Sequence, residues 1–163
     1  MRDGVPAASA CSPSVRPVLT GTFGGTLDKV DYQHRLGRLF DEFNMDADLV
    51  LTDNEGHSFV LDTKYKLLDT TVRHAGLSQA DFYQMYAYGN AGTQHFKHLV
   101  LLYPAAQNVV RRTFHQKDQD LQLHIRQFDP RDVYDRENGD LNPKELVKQL
   151  NEAFADIGIS ASA

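Results

Sequence analysis

Short apolar runs separated by turn-forming residues dominate the middle of this chain. Asp48-Leu49-Val50-Leu51-Thr52 leads into Asp53-Asn54-Glu55-Gly56, and then into Ser58-Phe59-Val60-Leu61-Asp62-Thr63-Lys64-Tyr65. Two β-rich runs about a glycine-containing turn predict a hairpin. Side chains alternate along a strand, so Asp62 and Lys64 are expected on one face and Phe59, Leu61, Thr63 and Tyr65 on the other. Asp48 lies at the end of the first strand remote from the turn, where antiparallel pairing can bring it level with Asp62 to Lys64. Upstream, Leu36, Leu39, Phe40 and Phe43 recur at helical spacing and predict a helix over 28–43.

Downstream, Ser78-Gln79-Ala80-Asp81 is a capping-box-like start for a helix to about residue 90. Phe82, Met85, Tyr86 and Gly89 form its apolar stripe. Gln84 and Tyr88, four apart, share another face. A loop near 67–77 joins this helix to the hairpin. The near-continuous apolar run His98 to Pro104 suits a buried, central strand. Residues 105–119 read as polar loop and Leu121 to Phe128 as a further strand. Asn142-Pro143 starts a last helix to about Ala155, with Leu146, Val147, Leu150 and Phe154 on its apolar face. Residues 1–26, rich in Gly, Ala, Ser, Pro and Thr, are expected to be disordered, and 27–163 to form a single domain. The pattern as a whole predicts an α/β fold with a mixed central sheet flanked by helices.

Composition narrows the function classes. The hydrophobic fraction of 41% and charged fraction of 24% are globular values. No apolar run reaches transmembrane length, and the N-terminus carries no signal-peptide pattern. The single Cys11 excludes an intramolecular disulfide framework and fits a reducing, cytoplasmic compartment. A net charge of −5 argues against strong autonomous DNA binding. Gly21 to Gly25 is followed by no G-K-[ST], so it is not a phosphate loop, and no G-x-S-x-G elbow is present.

The chemistry concentrates at Asp48, Asp62 and Lys64. Two carboxylates about 4 Å apart repel by roughly 4 kcal/mol at an effective dielectric near 20. One would protonate unless a cation lies between them. Magnesium suits such a pair: it is hard, prefers oxygen, and commonly combines one or two carboxylates with water and substrate phosphate. Lys64 beside it could orient the attacking water or stabilise charge in the transition state.

These residues carry a resemblance. The set Asp48, then Asp62-Thr63-Lys64-Tyr65-Lys66, then Asp81-Phe82-Tyr83-Gln84-Met85-Tyr86-Ala87-Tyr88, then Leu101-Leu102-Tyr103-Pro104 resembles the nuclease domain of the McrC family. McrC proteins are the cleaving subunits of the McrBC 5-methylcytosine restriction system and belong to the PD-(D/E)xK superfamily. The resemblance spans roughly residues 36–130 and is densest over 47–104. It implies a restriction-endonuclease-like core in which Asp48, Asp62 and Lys64 are catalytic. Asp48, Asp62 and the backbone carbonyl of Thr63 would hold Mg2+, with Mn2+ as a substitute. Gln84 and Tyr88 match a Q-x-x-x-Y element that braces the site or contacts the DNA backbone, and Lys66 would reach a phosphate. It also implies DNA as substrate, an McrB-type AAA+ GTPase as partner, and no membrane association.

The chain departs from the family pattern in three ways. Ala47 stands where the family prefers Pro. Only Asn44-Met45-Asp46-Ala47 separates the expected 28–43 helix from Asp48, where the family has a longer stretch including a strand. This leaves open whether a core strand is missing or replaced between Phe43 and Asp48. The chain also lacks the family's large N-terminal region and reads as a shortened copy. Two other readings therefore stand beside the enzyme: a catalytically silent remnant that binds a partner or DNA, and a PD-(D/E)xK nuclease outside the McrC group.

Overall fold

The computed structural model describes residues 27–91, 96–105, 109–133 and 142–158. The expected disorder of 1–26 concerns residues outside that set. Six strands form one mixed sheet: β1 (Leu27–Leu39), β2 (Phe43–Asp53), β3 (Ser58–Thr63), β4 (His98–Pro104), β5 (Arg112–Gln116) and β6 (Leu121–Phe128). Their order across the sheet is β1-β2-β3-β4-β6-β5. β1, β2 and β3 pair antiparallel, β3, β4 and β6 pair parallel, and β5 returns antiparallel on β6. The helices are α1 (Gln79–Gly89), the short α2 (Pro130–Val133) and α3 (Pro143–Phe154).

Local chemistry accounts for the element ends. The Asp53 carboxylate accepts the backbone N–H groups of Glu55 and His57 at 2.9 and 2.8 Å, closing the β2–β3 turn. Gly56 sits in that turn at φ 86°, where a side chain would be strained. Ser78 and Asp81 form a reciprocal capping box on α1. Asn142 caps α3 through Glu145 N–H, with Pro143 at the first position.

Two apolar layers cover the sheet. On one face Leu146, Val147, Leu150, Ala153 and Phe154 of α3 pack on Leu49, Leu51, Phe59, Leu61, Val100 and Leu102. On the other, Met85 and Tyr88 of α1 pack with Val50, Val60, Leu99, Leu101, Tyr103, Leu123 and Ile125. Each fully buried aliphatic or phenyl side chain contributes about 1.5–3 kcal/mol of transfer free energy, so these helices are held by packing more than by propensity. Gly89 marks the tightest approach. A Cβ there would lie 2.8 Å from Leu121 Cδ2 and 3.2 Å from Leu99 Cδ1.

The structure corrects several expectations. Residues 28–43 form no helix: they are β1 and the turn into β2, with Phe40 and Phe43 exposed at 88% and 70%. No strand is lost between Phe43 and Asp48, because those residues are the first half of β2. The predicted loop at 105–119 contains β5, and the loop at 67–77 contains a 3-10 turn at Arg73–Gly76. Tyr86, placed on the buried stripe of α1 by its spacing, is 46% exposed, whereas Tyr88 is buried.

The reason for the misread segment is physical. Val30 and Tyr32 pack on the α3 side of the sheet, but Leu36, with Met45 and Ala47 of β2, packs on the α1 side. The inward face of the hairpin changes sides near Gln33, whose φ is 46°. A register shift follows between Arg35 and Gly37. Strict alternation is broken, so the strand carries no clean period of two.

Candidate active site

Asp48, Asp62 and Lys64 meet at the end of the β2–β3 ladder. The register pairs Leu49 with Leu61, and Asp48 and Asp62 are the next residues along each strand. Asp48 Oδ2 accepts hydrogen bonds from Thr63 N at 2.8 Å and Thr63 Oγ1 at 2.6 Å. Lys64 Nζ lies 2.5 Å from Asp62 Oδ2 and donates to Gln84 Oε1 at 2.7 Å. Gln84 Nε2 donates to the Tyr88 hydroxyl at 2.7 Å, and that hydroxyl donates to the backbone carbonyl of Asp46 at 2.8 Å. A continuous chain therefore runs Asp62–Lys64–Gln84–Tyr88–Asp46. α1 supplies its middle because Gln84 and Tyr88 are one turn apart on the face toward the strand ends.

The electrostatics follow from burial. Asp62 is 5% exposed. Burial raises its carboxyl above the ordinary 3.8, the Lys64 hydrogen bond and charge oppose this, and the charges of Asp48 and Asp81 add to the rise. Burial likewise raises the Tyr88 phenol to about 12, with the charges of Asp62, Asp48 and Asp46 reinforcing it, so the phenol stays neutral.

Three participants were not assigned roles from the sequence. Asp81, read there as a helix cap, also accepts from Lys66 Nζ at 2.8 Å and from the Tyr103 hydroxyl at 3.0 Å, and its Oδ1 lies 3.9 Å from Lys64 Nζ. Lys66 is thus ion-paired rather than a solvated amine. Tyr103 sits in the Leu-Leu-Tyr-Pro segment, and its phenol is pushed upward by burial and by Asp81. Asp46 contributes through its carbonyl. The one available signal was the acid at the third helical position, which a capping box alone already explained.

Asp81 carries a measurable consequence. Burial pushes its carboxyl up, but hydrogen bonds from Lys66, Ser78 and Tyr103 outweigh this and hold it at about 2. Its stabilising contribution is present above the ordinary value of 3.8 and is lost as pH falls toward 2. Asp81→Asn is expected to cost about 1–2 kcal/mol at pH 7, combining a weakened cap with a lost ion pair. The gap between variant and wild type in urea denaturation should shrink as the pH is lowered from 4 to 2.5. A gap independent of pH would contradict this account.

Asp48 also walls an open hollow of about 530 Å³ with Gln33, Arg35, Asp46 and Ala47. Among the described residues no three His, Cys, Asp or Glu side chains converge on a point. The groups that could hold a cation are the carboxylates of Asp48 and Asp62, with the carbonyl of Thr63 next in sequence after Asp62. That oxygen-only set fits magnesium, and a buried carboxyl raised partly by its neighbour's charge is one that a divalent ion would relieve. Any such ion would share Asp62 with Lys64. Among the described residues no helix is long and apolar enough to cross a membrane.

No curated protein matches the sequence. Among solved structures the chain is similar to one in the refined half-complex from a tetradecameric assembly of Thermococcus gammatolerans McrB AAA+ hexamers with bound McrC. The TM-score is 0.52 at 16% identity, covering 85% of this chain and 31% of that one. This likeness is one of fold, and the present chain spans under a third of that chain's length. Residues 23–104, half of the sequence, match the family described as McrBC 5-methylcytosine restriction system component. That stretch contains Asp48, Asp62, Lys64, Gln84 and Tyr88. The chain belongs to the McrBC 5-methylcytosine restriction system component family.

Proposed function

We propose that this chain is an McrC-type nuclease domain with a PD-(D/E)xK core, cleaving DNA phosphodiester bonds in concert with an McrB-type AAA+ GTPase. The observation that carries this reading is the linked set Asp62–Lys64–Gln84–Tyr88 beside Asp48. The chemistry that magnesium or manganese supplies, when held by Asp48, Asp62 and the Thr63 carbonyl, is charge neutralisation at the phosphate and acidification of a bound water.

The chain's own residues do the rest. Thr63 fixes Asp48 through two hydrogen bonds, so one carboxylate is oriented before substrate arrives. Lys64 holds its ammonium between Asp62 and Gln84, where it can stabilise charge developing on the phosphoryl oxygens. Gln84 donates to the neutral Tyr88 phenol, and this fixes its own carbonyl toward Lys64. The net charge of −5 gives little attraction for DNA, so a partner supplies most of the affinity.

The test is plasmid cleavage with methylated and unmethylated DNA, with magnesium, with and without an McrB-type GTPase. Cutting should require the GTPase and the modification. Robust cutting by the chain alone would refute the dependence on a partner. A folded, metal-binding chain that never cuts would instead be a binding remnant.

A further inference from the structure

We infer that the hollow lined by Gln33, Arg35, Asp46, Ala47 and Asp48 is a subsite for the DNA strand beside the scissile phosphate, with Arg35 as its phosphate clamp. The inference rests on the nuclease reading above, because Asp48 forms the wall shared with the reacting centre. β1, an edge strand of the sheet, pairs Arg35 with Asp46 of β2, and both residues line the hollow.

Among the described residues Arg35 makes one ion pair, Nε to Asp46 Oδ1 at 2.9 Å. A guanidinium presents five N–H donors in a planar fork, so the terminal nitrogens can take a phosphate while Nε keeps Asp46. The pair is 58% and 44% exposed, and an ion pair so exposed holds weakly. It can therefore rearrange onto a phosphate at little cost.

Asp46 is also the residue whose carbonyl ends the chain from Lys64 through Gln84 and Tyr88. A strand gripped at Arg35 therefore lies beside the residue whose backbone anchors the Lys64 chain. Charge sets a condition on this grip. Arg35 against Asp46 and Asp48 leaves the hollow with a net negative charge, which repels a phosphate. Asp62 is already paired with Lys64, so a divalent ion on Asp48 and Asp62 would reverse the sign. The subsite therefore takes DNA only in the presence of a divalent metal.

The experiment is fluorescence anisotropy of a labelled DNA duplex at low salt, with Ca2+ as a non-cleaving ion or with EDTA, alongside melting of the same proteins with and without Mg2+. The wild type should bind with Ca2+ and lose binding in EDTA. Arg35→Ala should weaken binding about tenfold and reduce the slope of log K against log salt by about 1. Arg38→Ala, on the same strand but outside the hollow, should change binding less than about threefold, as a surface charge acting at a distance. Wild-type binding by Arg35→Ala, an equal loss in Arg38→Ala, or no metal-dependent binding at all would overturn the subsite. If Mg2+ still raises the melting temperature in that case, the subsite alone falls. If it does not, the nuclease reading falls with it.

Discussion

Lys64→Ala is expected to lower single-turnover cleavage by about 10²–10³-fold or more, because the ammonium acts where charge develops in the transition state. The geometry adds an effect that motif reasoning leaves out. Lys64 Nζ lies 2.5 Å from Asp62 Oδ2, and Asp62 is buried. Removing one partner of a buried pair costs about 3–5 kcal/mol at most. Here the loss should be smaller, because Lys64 is partly exposed and Asp62 can take up a proton. The variant should be less stable than wild type without metal and should recover more of that loss when Mg2+ is added. Cleavage assayed with an McrB-type partner, and melts with and without Mg2+, separate the two effects. Wild-type cleavage by this variant would remove Lys64 from the mechanism.

The second large effect belongs to Asp62→Asn. If Asp48 and Asp62 share an ion, a concentration of Mg2+ a hundredfold above its dissociation constant stabilises the fold by about 2.7 kcal/mol. For a chain of this size that corresponds to a rise in Tm of about 5–10 °C. Asp62→Asn should abolish it. The metal-free protein supplies an independent signature. A carboxyl raised in the folded state above its ordinary 3.8 holds a proton that the unfolded chain has released. Stability should therefore rise as pH falls through the raised value, and the slope lies above 3.8. Asp62→Asn should flatten that slope, while the opposite slope of Asp81 at lower pH remains. An undiminished Mg2+ shift in the variant would detach the ion from Asp62.

The legible parts of this chain were those where local pattern and tertiary packing agree. The β2–β3 hairpin, α1, β4, β6 and α3 could be read directly, because turn residues, caps and apolar runs each pointed the same way. Strand alternation grouped Asp62 with Lys64 and a helical spacing of four grouped Gln84 with Tyr88, and the family resemblance alone joined the two pairs. β1 could not. Leu39, Phe40 and Phe43 have helical spacing, yet they surround the turn into β2 and are largely exposed, so their periodicity reports no buried face. β5 was hidden for a different reason. It is an edge strand of five residues, none fully buried, and thus carries almost no hydrophobic signal. Asp81, Tyr103 and Asp46 entered the site through contacts 22 and 42 residues apart in sequence, which no local rule encodes.

The missing side chain at Gly89 has a mechanical meaning. α1 is held at both ends: Ser78 and Asp81 fasten its start, and at its finish a methyl on residue 89 would meet the side-chain ends of Leu121 and Leu99 at 2.8 and 3.2 Å. The helix is a beam whose height above the sheet is set by bare backbone resting on aliphatic side chains. Gln84 and Tyr88 hang from that beam, Tyr88 one residue from the pinned end. A methyl at position 89 would press on those leucine ends, which turn aside or let that end of the helix rise. Where the helix rises, the Tyr88 hydroxyl is drawn from the Asp46 carbonyl it meets at 2.8 Å. The close packing of bare backbone at one end of α1 thus bears on where Gln84 holds Lys64.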